Sequence, residues 1–238
     1  MPRKRASGSG VQLGEEVVRA MVLQGAAKVF AAQGVRATGV QDILKAARIS
    51  RRTFYRVYGS KEDVLLELYR LGTELLLANC RLALEQESDP LRQIERCVDA
   101  HLATAREQPR LVFVLGGEAH RQESLLHARR IEVHEALASM MVAYARAGLP
   151  RPPSRLLIRA LLFAHEGVTR LVLEEGDEGR NVTAEAFDRA RAVMLRISTA
   201  AMAGEGVGVA SLPEDDRPQL AGTGTDKKRA SAKSADAE

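Results

Sequence analysis

Tryptophan is absent from this 238-residue chain, aromatic residues make up only 4% of it, and it has just two cysteines, Cys80 and Cys97. Large rings therefore supply little of the interior, and with 45% apolar residues a core of Leu, Val and Ala is expected. The cysteines have no CxxC spacing and no histidine at ligand spacing, which excludes a disulfide framework or zinc ribbon and reads them as buried thiols. No charge-free run approaches the roughly 18 residues of a membrane span, and the N-terminal residues lack a signal peptide's apolar stretch. The expectation is a cytoplasmic, all-α globular protein with no membrane association, no metal and no cofactor.

Charge is present in both signs but unevenly distributed. Residues 1–63 hold 12 Lys and Arg against 5 Asp and Glu, and the remainder 23 against 26, which accounts for the net +4. A basic end is the electrostatic footprint of a surface that meets phosphate, because neutralising phosphates releases condensed counterions. A solvated surface has the same composition, so charge alone leaves both readings open.

The organisation follows from helical periodicity. Residues 1–14 combine a basic cluster, Arg3, Lys4 and Arg5, with Gly and Ser, and read as a flexible arm; residues 204–238 read as a disordered tail. Val18, Val22, Ala26, Val29 and Phe30 predict a first helix over 15–33, capped by Gly34. Thr38 with Gln41 has capping-box spacing and opens a short helix through Ala47. Ser50 caps a third helix through Val57, and Ser60 with Asp63 a fourth, long one towards Glu87. Further helices are expected near 90–107, 110–118, 121–147, 154–175 and 183–203, separated at Gly or Pro clusters, with Gly116-Gly117 read as a break.

Two helices of about eight residues joined by a two- or three-residue turn have the proportions of a helix-turn-helix. Its second helix enters the major groove of double-stranded DNA, which places Arg51, Arg52 and Thr53 at base edges. Arginine suits that position, since its planar fork pairs bidentately with guanine. Tyr55, Tyr58 and Lys61 are expected to flank them as phosphate contacts, with the helix starts at Thr38, Ser50 and Ser60 offering backbone amides.

The stretch Thr38 to Tyr69, TGVQDILKAARISRRTFYRVYGSKEDVLLELY, resembles the DNA-binding signature of the TetR (tetracycline repressor-like) family. That signature runs Thr, Ile-Ala, Ala-Gly-Val-Ser, Thr-Phe-Tyr, an aromatic, Ser-Lys and an apolar helix. Three positions depart from it: Leu44 for a small Ala, Arg48 for Gly, and Val57 for His or Tyr. The leucine is expected to push the two helices apart, and Arg48 to carry a strain of about 1 kcal/mol at a turn that favours positive φ. Val57 forgoes a phosphate contact.

The resemblance implies a plan of about nine helices, with a DNA-binding domain at 15–62 and a dimerisation and ligand-binding domain at 63–203. It implies a homodimer through the helices near 154–175 and 183–203. There Leu157, Leu161, Ala164, Val168, Leu171 and Val172, and Phe187, Ala190, Val193, Met194, Ile197 and Ala201, recur at helical spacing; such stripes are also ordinary core. It implies repression of a palindromic operator, relieved by a small-molecule effector in a pocket whose candidate residues are His101, Phe113, His120, Met140, Tyr144, Phe163, His165 and Arg170.

Two other readings carry less. His120, His127 and His134 recur every seven residues, and on one helix that is a rise of about 10.5 Å, too far for a shared ion. An enzyme is not expected, because His165 beside Glu166 lacks a nucleophile and an orienting third group. A ligand-independent DNA-binding protein with a filled C-terminal core remains the main alternative.

Overall fold

The computed structural model describes residues 9–148 and 152–202. Among these residues the structure is wholly helical outside its connections: α1 (Ser9–Ala37), α2 (Val40–Ala47), α3 (Arg51–Val57), α4 (Lys61–Gln86), α5 (Pro90–Glu107), α6 (Pro109–His120), α7 (Leu125–Gly148), α8 (Arg155–Glu175) and α9 (Ala184–Met202). None of these helices is long and apolar enough to cross a membrane.

Two boundaries differ from expectation. Helix α1 starts at Ser9, within the segment expected to be an arm, since each residue added to a nucleated helix gains a hydrogen bond. Residues 1–8, with Arg3, Lys4 and Arg5, lie outside the described residues, as does the expected tail at 204–238. Helix α6 runs through Gly116 and Gly117 to His120, because the buried Leu115 and Ala119 on either side hold the turn against glycine's cost of about 1 kcal/mol. The break falls instead at 121–124, where the Ser124 amide donates to the Arg121 carbonyl at 3.0 Å.

Regular α1 geometry ends where the sequence places a cap: Gly34 has φ +82°, a left-handed conformation that glycine adopts without strain. The N-terminal core gathers Val22, Ala26 and Phe30 of α1, Ile43 and Leu44 of α2, Phe54 of α3 and Val64 of α4. Leu111, Leu115 and Ala119 of α6 complete it, so the first three helices share one core with the body.

The body has two further clusters. Val98 and Leu102 of α5 pack on Leu173 of α8 and on Phe187 and Met194 of α9, and Cys80 of α4 packs with Leu137 of α7 and Ile158 and Leu162 of α8.

Close approaches fix the relative placement of these parts. A Cβ at Gly25 would stand 2.7 Å from the Ala47 amide nitrogen, so α2 rests directly on the α1 backbone. Gly179, at φ +87°, brings the α8–α9 connection to Pro109, whose carbonyl carbon and oxygen would lie 2.7 Å from a Cβ there. The next residue, Arg110, donates from Nε to the Ala31 carbonyl of α1 at 2.9 Å and from Nη1 to the Glu178 carbonyl at 3.1 Å. One side chain thereby joins α1, α6 and the α8–α9 connection.

Candidate nucleic-acid interface and pockets of the helical body

The short helices α2 and α3 are set by local chemistry. Helix α2 begins one residue later than Thr38 predicts. Gly39 is its N-cap, and the Asp42 carboxylate accepts from the Gly39 amide at 2.9 Å. Thr38 is 2% exposed and its hydroxyl turns back to donate to the Gly34 carbonyl at 2.6 Å. That corrects the expected capping role: Thr38 closes the α1–α2 junction from beneath.

Arg48 ends α2 in the left-handed region, at φ 54° and ψ 42°. Leu44 is buried in the N-terminal core and Val57 faces the same core, so position 57 points away from solvent. Ser50 caps α3 as expected, its hydroxyl accepting from the Thr53 amide at 3.1 Å and lying 2.8 Å from the Thr53 hydroxyl.

With Phe54 and Val57 buried, α3 presents Arg51, Arg52, Tyr55 and Arg56 to solvent. The Arg51 guanidinium lies 6.0 Å from the centroid of the Tyr55 ring, within reach of a cation–π attraction that orients it outward. Arg56 shares this face and was not singled out from the sequence, although its spacing of four from Arg52 is the available signal.

Two expected phosphate contacts are placed elsewhere. Tyr58 is 4% exposed, with the Arg19 guanidinium 5.0 Å from its ring centroid. Burial, reinforced by Glu67, pushes its phenol up to about 12. Lys61 uses its ammonium internally, donating to the carbonyls of Thr38 at 2.9 Å and Val35 at 3.1 Å. The oxygens left open where the chain passes from α1 to α2 attract the cation more effectively than open solvent does. Tyr58 and Lys61 support the reading helix from behind.

Among the described residues, two half-open cavities reach into the helical body. The first, of about 200 Å³, is bounded by α4, α5, α6, α7 and α8, and the second, of about 160 Å³, by α4, α5, α7, α8 and α9. His101 stands in the wall between them and lines both. Its Nε2 lies 3.0 Å from the Thr169 hydroxyl, and burial holds its pKa below the ordinary imidazole range. His165 lines the second cavity with Nε2 2.9 Å from the Ser198 hydroxyl, and burial, aided by His101, takes it down to about 4. Both imidazoles are therefore neutral hydrogen-bonding groups near pH 7.

The first cavity has one strongly polar wall. Arg130 of α7 is 6% exposed and grips the Glu166 carboxylate of α8, with Nε at 3.1 and 3.0 Å from the two oxygens. His134 Nε2 approaches the same carboxylate at 2.8 Å, and His120 Nε2 at 3.7 Å. Burial works to raise the Glu166 pKa, but hydrogen bonds from His134 and Arg130, with their charges, outweigh it and hold the carboxyl down at about 2. The break at 121–124 puts His120 on α6 and His134 on α7, which overturns the premise that these histidines share one helix.

The comparisons with known proteins bear on this geometry. Residues 22–68 match the model described as "Bacterial regulatory proteins, tetR family". The chain is 31% identical over 106 residues to the HTH-type transcriptional repressor KstR2 of Mycobacterium tuberculosis, covering 44% of this chain and 53% of that protein. It spans, that is, about half the length of that relative. Among solved structures, the TetR family transcriptional regulator PfmR of Thermus thermophilus superposes with a TM-score of 0.55 at 26% identity, covering 74% of this chain and 96% of that one. Residues 22–68 thus match the TetR family's model, on a fold similar to that of a TetR-family regulator.

The fold extends to FadR of Bacillus subtilis in complex with stearoyl-CoA, at TM-score 0.61 and 15% identity, over 74% of this chain and 97% of that one.

Within this fold the pocket candidates divide. His101, Phe113, His120 and Arg170 line the first cavity, and His101, Tyr144 and His165 the second. Met140 and Phe163 line neither and are corrected here. Met140 packs, partly buried, against the cluster that includes Val133, Leu137 and Ile158, while Phe163 is 42% exposed on α8, edge-on to His134 at 4.9 Å. Tyr69, Thr73, His134, Glu166 and Thr169 line the first cavity and were missed as pocket residues. His134, Glu166 and Thr169 lie in the helices already named, but choosing among their faces needs the packing angles.

The stripes expected at a dimer interface also divide. Val172, Phe187, Ala190 and Met194 are buried within the chain. A separate stripe, Leu156, Ala160, Phe163, Gly167 and Leu171, is exposed along α8 at spacings of three and four.

Proposed function

We propose that the chain is a DNA-binding transcriptional regulator acting in the cytoplasm as a homodimer, a repressor of a palindromic operator, released by a small apolar or amphipathic effector held in the helical body. The observation that carries the reading is α3: its apolar face is locked into the core while Arg51, Arg52, Tyr55 and Arg56 stand free on the opposite face. A rigid helix with outward arginines is what major-groove readout requires.

The exposed α8 stripe supports dimerisation. Leu156 is 76% and Leu171 59% exposed, and Gly167 between them leaves open space for close approach by a second helix. A two-fold axis there doubles the reading helices and makes the operator palindromic. The two cavities support an effector and count against a filled core. Repression accords with the KstR2 relative, and the stearoyl-CoA held by Bacillus subtilis FadR makes long-chain acyl-CoA thioesters a first class to screen.

The test is selection of binding sites from random DNA by the full chain, followed by titration of the selected duplex. A symmetric site is expected, with Arg51→Ala and Arg52→Ala each losing about 1–3 kcal/mol of discrimination at a particular base pair. Leu171→Asp is expected to give monomers that bind the duplex weakly. Unchanged base preference in both arginine variants, or full binding by a monomer, overturns the corresponding part of the reading.

A further inference from the structure

The chain's two cysteines sit together. Cys80 belongs to α4 and Cys97 to α5, both are free thiols, and both line the second cavity. The Cys97 thiol donates to the Cys80 carbonyl oxygen at 4.0 Å, which places it against Cys80 across the α4–α5 seam. Cys80 is 2% exposed, whereas Cys97 is only partly buried. The pair takes no part in the polar wall around Glu166 and lies far along the chain from the reading helix.

Their chemistry is asymmetric. The neighbouring Cys80 thiol holds Cys97 below the ordinary thiol range, against the effect of burial, whereas Cys97 and burial together push Cys80 up. A thiol held towards its thiolate, next to a second thiol and open to a cavity, has the attributes of an attacking cysteine beside a resolving one.

We propose that Cys97 and Cys80 form an oxidisable dithiol in the wall of the second cavity, converted to an intrachain disulfide by a small hydroperoxide that enters there. The Cys97 thiolate attacks the terminal peroxide oxygen; an S–O bond forms, the O–O bond breaks, and the departing hydroxide or alkoxide takes up a proton. The Cys80 sulfur then attacks the Cys97 sulfenic sulfur. An S–S bond forms, the S–O bond breaks, and water leaves carrying the Cys80 proton. The two thiols lose two electrons and two protons, and the peroxide is reduced to water and water or an alcohol. The product ties α4, which leads directly out of the reading domain, to α5 and reshapes the cavity they share.

The test uses reduced full-length protein and hydrogen peroxide in modest excess. The expected result is a loss of two hydrogens from the intact mass, one non-reduced peptide pair joining Cys80 to Cys97, and full reversal by dithiothreitol. Cys80→Ala is expected to accumulate a dimedone-reactive sulfenic acid at Cys97, and Cys97→Ser to show none at Cys80. Two unreacted thiols, disulfides between chains, or overoxidation without the internal cross-link overturns the proposal. None of these readouts depends on DNA or effector binding, so a failure here is distinct from a failure of the proposed function.

Discussion

Lys61 Nζ donates to the Thr38 carbonyl at 2.9 Å, so the first residue of α4 fastens the chain just before the first helix of the reading unit. The same ammonium holds the Val35 carbonyl at 3.1 Å. Removing it leaves two part-buried oxygens without this partner, a loss of about 1–3 kcal/mol. Lys61→Ala is therefore expected to lower the urea midpoint and to weaken binding to all DNA sequences alike. Because the charge is already engaged within the protein, the slope of log affinity against log salt should stay at its wild-type value. A slope reduced by about one would assign Lys61 to a phosphate instead.

Arg48 occupies a left-handed turn at φ 54°, where a Cβ crowds the following carbonyl. Arg48→Gly relieves that crowding and is expected to raise stability by about 1 kcal/mol, the gain from αL strain offset in part by glycine's larger entropy when unfolded. Chemical denaturation with an unchanged m-value checks it. A lower midpoint would show that the arginine side chain contributes more than its backbone costs.

At Gly25 the constraint runs the other way. A methyl group there would stand 2.7 Å from the Ala47 nitrogen and 2.9 Å from its Cβ, and both belong to the end of α2. Gly25→Ala is expected to destabilise by about 1–3 kcal/mol despite alanine's better helix propensity, because α2 must move off α1. The displaced helix should also cost operator affinity, measured at a temperature where the variant is still folded. Wild-type stability would mean that the α1–α2 contact yields without cost.

The different fates of Thr38, Gly34 and the arginines show what sequence carried. Gly34 and Ser50 are local devices, defined by one residue's φ or one hydroxyl's reach to a nearby amide, and both occur where the sequence places them. The amphipathic split of α3 was equally legible, since it depends only on helical period. Lys61 and Tyr58 were misread because their partners, Val35 and Thr38 for one and Arg19 for the other, arrive from α1 or the α1–α2 junction through tertiary packing. The polar wall is of the same kind. His120, Arg130, His134 and Glu166 come from three helices, and the turn at 121–124 that lets His120 and His134 approach the same carboxylate has no glycine or proline to announce it.

That wall gives a pH dependence with a definite sign. Glu166 has its carboxyl lowered from 4.5 to about 2, its side chain is 22% exposed, and its partners Arg130 and His134 are 7% and 6% exposed. A carboxylate depressed in the folded state binds a proton more readily when unfolded. Its contribution is therefore complete above pH 4.5 and is lost as the pH falls towards 2. The shift corresponds to about 3 kcal/mol at most. Glu166→Gln preserves shape and one acceptor but removes the charge opposite Arg130. At neutral pH the variant should be less stable, by up to about 3–5 kcal/mol for a buried cation left without its counter-charge. Below pH 4.5 the gap between wild type and variant should narrow, because protonation takes from the wild type what the substitution has already removed. Urea unfolding of both proteins across that range measures the gap directly. A constant difference at every pH would mean that Glu166 holds α7 to α8 by shape and hydrogen bonding, with its ionisation contributing nothing.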